Sequence, residues 1–260
     1  MSVKAYLEQR SSEIQLSDKE RMTIETSILW LQTRLKKHFD GDVVRTMRFG
    51  SSTRGTMLSR SVDGDSDIDY MVVFRDGSYS PQTYLNWLKK FVEFYYQSSE
   101  IYQSSPSIVL DLNHIKFDIV PATQSPFYGI QIPAPSSSYT TWIYTSPDDF
   151  KKQFEWRNIQ TDGKLKRLVR LVKTWNVYAG KVYESFELEK RVMDLANFGL
   201  DRSLKSGFYN AIQSLDLHWA EAKWRQDELE RAKEIVSEAI ELERMLRIQE
   251  AEMLIQELIP

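Results

Sequence analysis

Asp67 and Asp69 stand two residues apart at the head of an apolar run, DIDYMVVF, from Asp67 to Phe74. Such a run predicts a strand, and alternate residues of a strand project to one side. Both carboxylates therefore face one way, and Ile68 between them faces the other. Neighbouring carboxylates repel unless a cation sits between them. Mg²⁺ takes oxygen ligands and commonly keeps phosphate and water as the rest of its shell. A third aspartate, Asp118, lies inside HIKFDIVPA. There Ile115, Phe117 and Ile119 would share one face, and Lys116, Asp118 and Val120 the other. A carboxylate within a strong strand needs a reason, and a second metal ion supplies one. Upstream, the apolar stretch VVRTMRF ends at Gly50-Ser51. Gly50 has no side chain, so phosphate oxygens can approach its backbone. Ser51 adds a hydroxyl and an N–H. Taken singly, each feature has a plain reading: a solvated strand face, a turn, an edge-strand charge. In this order, on these elements, they describe a site for a triphosphate and its metal.

The elements that must position these groups follow from periodicity. Ser17 and Glu20 have the spacing of a capping box. Ile24, Ile28, Leu31, Leu35 and Phe39 then recur at helical intervals, which predicts a helix from about Ser17 to His38. Strands are predicted at 43–49, 67–74, 107–112 and 116–120, and a helix at 81–96. Residues 50–65 read as a loop rich in Ser, Gly, Thr and Arg, and PAPSSS at 133–138 reads as another. Beyond that the pattern is helical. Pro147 opens one helix, with Asp148 and Asp149 in its first turn. Leu165, Leu168, Val169, Val172 and Trp175 form the apolar stripe of the next. Residues 184–198 and 204–215 read as two more, and 221–258 as one long charged helix or two with a break. The expected organisation is α+β for residues 1–145 and all-helical for 146–260.

Composition removes several classes of function. The 260 residues contain no cysteine, which excludes disulfides, thiolate metal sites and a cysteine nucleophile. Seven tryptophans and a 42% hydrophobic share favour a folded chain over a disordered one. The first residues carry no apolar signal segment, and no stretch is long and apolar enough to span a bilayer. A cytoplasmic protein without membrane contact is expected. The net charge of -3 lacks the basic excess of proteins that grip long nucleic acid.

The order Gly50-Ser51, then Asp67-Ile68-Asp69 on a strand, then Asp118 on another, resembles the DNA polymerase β-like nucleotidyltransferase superfamily. Arg54-Gly55-Thr56 strengthens the likeness, while the gap from Ser51 to Asp67 reads as a loop insertion. Further on, LKRLVRLVKTWN (165–176) and SFEL (185–188) resemble the helical half of oligoadenylate synthetases and bacterial CD-NTases, relatives of cyclic GMP-AMP synthase. The opening helix and the Ala/Glu-rich last helix fit the CD-NTase pattern too. The resemblance covers nearly the whole chain. It implies a polymerase β-like sheet with flanking helices, followed by a helical nucleotide-binding half. It also implies a Mg²⁺-dependent nucleotidyltransferase, with Mn²⁺ as an alternative and two ions per site. Asp67, Asp69 and Asp118 would be the catalytic, metal-holding carboxylates. Gly50, Ser51, Lys173 and Ser185 would bind the nucleotide, the last two holding its triphosphate tail. NTPs would be joined into a cyclic or linear di- or oligonucleotide messenger, in antiphage signalling with a regulatory or effector protein. Two alternatives stay open: transfer to RNA or tRNA 3′ ends, and an idle nucleotide-binding sensor. So do base choice, product size, linkage and oligomeric state. Read without the resemblance, Lys166, Arg170 and Lys173 form a solvated basic face opposite the apolar stripe. On the same terms Trp175 is core and Ser185 a helix cap. His38 and His114 receive no role.

Overall fold

The computed structural model describes residues 1–125, 129–134, 141–195 and 203–260. In chain order it forms α1 (Val3–Glu13), α2 (Asp18–Phe39), β1 (Val43–Arg48), α3 (Gly50–Arg54), β2 (Asp67–Phe74) and α4 (Pro81–Tyr95). Then follow β3 (Glu100–Ser104), β4 (Ser107–Leu112), β5 (Ile115–Ser125), β6 (Gly129–Pro133) and β7 (Trp142–Thr145). The remainder is helical: α5 (Pro147–Gln160), α6 (Lys164–Tyr178), α7 (Ser185–Leu195), α8 (Leu204–Ser214), α9 (Lys223–Arg244) and α10 (Ile248–Leu258).

These elements make two compact units that are discontinuous in sequence. One comprises Leu16–Gly55 and Asp65–Lys152; the other comprises Met1–Gln15, Thr56–Gly64 and Gln153–Pro260. Locally, Gln15 bridges Leu58 and Ser59 N donates to Ile14 O, so residues 56–64 join the segment that follows α1.

The first unit holds a mixed sheet, ordered β1-β2-β5-β4-β3, with β6 and β7 continuing from the far end of β5. β2 and β5 run parallel at its centre, and β1 and β4 pair with them antiparallel. Alternation gives β2 two faces. Phe74 meets Phe39, Tyr84 and Trp87 on the side of α2 and α4. On the other side Met71 and Val73 join Ala122 and Ile130 in a second apolar cluster. The expected capping box starts α2: Ser17 N donates to Glu20 Oε2 at 2.8 Å and Glu20 N to Ser17 Oγ at 3.2 Å.

In the second unit α6 is the central helix, packed against α1, α7 and α8. Its Leu165, Leu168, Val169, Val172 and Trp175 are buried, as the stripe predicts. The charged C-terminal stretch is two helices, α9 and α10, parted where Leu246 turns to φ 60°.

Several expectations need correcting. Residues 50–65 are not wholly loop, because Gly50–Arg54 forms the short helix α3. The expected strand 116–120 extends to Ser125, where β6 supplies a partner. Helices α1 and strands β3, β6 and β7 were not expected. The helix read over 184–198 is described as far as Leu195, and its end lies outside the described residues. The expected loop at 133–138 begins at the last residue of β6 and likewise runs outside them after Ala134.

Candidate active site

Asp67 and Asp69 enter the sheet as the first and third residues of β2, both half-buried, while Ile68 between them is 1% exposed. Parallel pairing sets Asp69 directly against Asp118, and Asp67 against Lys116. Register partners on adjacent strands lie about 4.8 Å apart and point to the same face. The three expected aspartates thus share one face of two central strands. Beyond Asp69 that same face turns apolar at Met71 and Val73, which fixes the register.

The Lys116 ammonium is gripped on this face by Asp65 Oδ1 at 3.0 Å and Asp111 Oδ2 at 3.6 Å. Asp65 and Asp111 hold that ammonium, and Asp67, Asp69 and Asp118 share the face through strand register. Such an accumulation is what a divalent cation relieves. Burial pushes the Asp118 carboxyl up from its ordinary range, and Ser107 and Lys116 pull it back only in part.

Gly50 completes this group. β1 stays paired up to Phe49, whose N–H donates to Asp69 O at 3.0 Å. The chain then leaves the sheet at Gly50 with φ 68°, a left-handed conformation that side chains disfavour. A Cβ built there would fall on Asp69 Oδ2 and lie 2.6 Å from its Cγ. Only glycine leaves the Asp69 carboxylate room. Thr53 Oγ1 donates to Gly50 O at 3.0 Å and Ser52 Oγ to Phe49 O at 3.3 Å, tying the turn back on itself. Ser51, next to Gly50, is half-buried. Arg54 is buried, with its guanidinium 5.0 Å from the Phe150 ring centroid.

Lys173 and Ser185 belong to the helical unit. Ser185 is the exposed first residue of α7. Lys173 is 6% exposed and Arg170 8%, so the reading of Lys166, Arg170 and Lys173 as a solvated face is corrected. Helices on more than one side of α6 cover that row. Arg170 donates to Ser11 O at 3.2 Å, and Lys173 Nζ to Thr56 O at 3.2 Å. Trp175 is core, 2% exposed. Of the two histidines without a role, His114 Nε2 lies 2.8 Å from Ser27 Oγ, and His38 sits among Phe39, Phe91, Phe94 and Tyr95. Sequence reasoning gave Lys116 and Thr56 no role of their own and did not single out Glu189. For Lys116 the signal was available, because it alternates with Asp118 on one strand.

Among the described residues no three His, Asp or Glu side chains converge as a ready-made metal cage. The donors nonetheless fit Mg²⁺. They are hard carboxylate oxygens on one face, beside a glycine that keeps the space over Asp69 open, and Mg²⁺ seldom uses an all-protein cage.

A mixed sheet carrying a glycine turn and three strand aspartates, with a helical half after it, defines a polymerase β-like nucleotidyltransferase. Residues 1–158 match the family model described as Second Messenger Oligonucleotide or Dinucleotide Synthetase domain. That match spans more than half of the chain, and the chain belongs to this family of nucleotidyltransferases. Its fold is similar to that of CdnC from E. coli MS115-1, solved with ATP: TM-score 0.72, 15% identity, covering 100% of this chain and 97% of that one. The CD-NTase CdnG of Bradyrhizobium diazoefficiens, solved with GTP, gives TM-score 0.72 and 14% identity over 99% of this chain and 98% of that one. CdnC in a complex with HORMA-deltaN gives 0.68 and 16%, over 98% and 96%. No curated protein matches the chain by sequence.

Proposed function

We propose that Asp67, Asp69 and Asp118 are the carboxylates with which this synthetase joins NTPs into a cyclic or linear di- or oligonucleotide second messenger for antiphage signalling. The observation that carries the assignment is the register of Asp69 against Asp118, with the side-chain-free Gly50 packed on Asp69.

In the reaction a ribose hydroxyl oxygen bonds to the α-phosphorus of an NTP, the bond to the β-phosphate bridge breaks, and pyrophosphate leaves. Asp67 and Asp69, with Asp118, would hold Mg²⁺ or Mn²⁺, which neutralises phosphate charge and lowers the pKa of the attacking hydroxyl. Asp118 would also take the hydroxyl proton on its carboxylate. Gly50 and Ser51 would admit and hold phosphate oxygens. Lys173 and Ser185 would hold the triphosphate tail, and most of the acceleration would be positioning and electrostatics. We further propose a cytoplasmic location and a regulatory protein partner; CdnC is known in a complex with a protein, HORMA-deltaN.

The test is direct. Purified protein is incubated with four labelled NTPs and Mg²⁺ or Mn²⁺, treated with phosphatase, and resistant products are identified by mass. A resistant oligonucleotide that disappears with Asp67→Ala, Asp69→Ala is the expected result. Label transferred mainly to added tRNA would reject the messenger function in favour of RNA-end synthesis. Product formation by the double variant would reject the site.

A further inference from the structure

Glu189 is a carboxylate buried to 1% exposure on α7, and the reaction described above gives it no task. A polar side chain held that deep needs hydrogen-bonding partners. One is Thr56, itself 0% exposed, whose Oγ1 donates to Glu189 Oε1 at 2.8 Å. The same threonine presents its backbone carbonyl to Lys173 Nζ at 3.2 Å. Thr56 is thus gripped from two helices at once: its side chain by α7 and its carbonyl by α6. Two further placements give the grip a meaning. Glu189 stands four residues after Ser185, one turn along the same helix, so the pair share a side of α7. Thr56 follows within two residues of α3, which carries Gly50 and Ser51.

We infer that Glu189 is a positioning residue for nucleotide binding: through the Thr56 hydroxyl it fixes the carbonyl that orients the Lys173 ammonium, without touching the nucleotide. A lysine has a flexible stem and three rotatable donors, so its aim is set by what it is tied to. The bond restrains Thr56 because a buried hydroxyl that lost its acceptor would be left unpaired. This inference rests on the function proposed above, in which Lys173 holds the triphosphate tail.

Thr56→Val removes the hydroxyl and keeps the backbone carbonyl; Thr56→Ser restores the hydroxyl. Glu189→Gln keeps an acceptor oxygen, and Glu189→Leu keeps none. NTP binding is read by calorimetry, KM and kcat by product formation, and folding by thermal melting, all well below the melting point. Thr56→Val and Glu189→Leu should raise Kd and KM about tenfold with kcat within about twofold. Thr56→Ser and Glu189→Gln should stay within about threefold of the unmutated protein. Lowered melting points with Kd and KM unchanged in both disruptive variants would overturn the inference and leave Glu189 a structural lock. An unmutated protein that binds no NTP would instead overturn the proposed function, and this inference with it.

Discussion

The residues around Asp69 are constrained in ways that can be measured one at a time. Gly50→Ala places a Cβ on the Asp69 carboxylate and forces a left-handed backbone on a residue that disfavours it. The carboxylate must turn away, so product formation should fall about a hundredfold or more, with far-UV circular dichroism unchanged. Retained activity would mean that Gly50 is only a turn. Asp118 makes a second prediction, on stability. Its folded pKa is raised by burial, whereas in the unfolded chain it has an ordinary value near 4. The fold therefore favours the protonated form. That contribution is fully present below the unfolded pKa and is lost as pH rises through the folded one. In chelator-treated protein at pH 7 the ionised carboxylate is a cost. Asp118→Asn should raise the melting point by a few degrees there, with a gap that closes as pH falls into the carboxylate range. Melting curves of both proteins across that range decide it; a lower melting point for Asp118→Asn at every pH would contradict the assigned cause. The aspartates were legible because strand alternation converts spacing into facing. The buried Thr56 and Glu189 were not, because they meet across 133 residues with no shared element to give a period.

Among the elements, those with a long regular apolar pattern were readable and the short ones were not. β2 and β5 announce themselves by apolar runs, and α2 by five apolar residues at helical spacing above a capping box. α3 has five residues and no apolar face, so nothing in its composition separates it from a loop. β6 and β7 gain their strand state from pairing with β5 and with each other, which no local pattern records. α1 offers only Val3 and Leu7 as buried apolar anchors within a polar sequence. The basic row on α6 was misread for a related reason. Periodicity says which residues share a face, but it does not say how many faces of a helix its neighbours cover. The capping box provides an element-scale test. Ser17 satisfies one orphan N–H and its backbone partner Glu20 satisfies another. Ser17→Ala should cost about 1 kcal/mol, read as a lower urea midpoint at unchanged slope. Activity of the folded variant should be unaltered, since Ser17 lies outside the proposed site. No loss of stability would mean that α2 is held by its packing against β1 and α4 alone.

At the scale of the whole molecule, charge decides which polymers can approach. Net charge is -3, and on the face that carries the catalytic candidates Lys116 is already engaged by Asp65 and Asp111, with Asp67, Asp69 and Asp118 on the paired strands. A triphosphate can reach such a face because it arrives with its own divalent cation. A long duplex RNA cannot bring enough: its affinity comes from neutralising many phosphates with Lys and Arg, and it falls steeply with salt. Among the described residues many of the lysines and arginines are already engaged with carboxylates, including Lys116, Arg167, Arg191, Lys205 and Arg247. Long double-stranded RNA should therefore neither bind appreciably at physiological salt nor change the rate of product formation by more than about twofold. Filter binding across a salt series, run beside the NTP assay, measures both. A rate increase that tracks RNA binding, with a steep inverse dependence on salt, would show a phosphate-tracking surface that this charge distribution does not predict. If synthesis is slow in the pure protein and RNA leaves it slow, the trigger is expected to be a folded protein, which can recognise a surface of mixed charge by shape and hydrogen bonding where a polyanion is repelled.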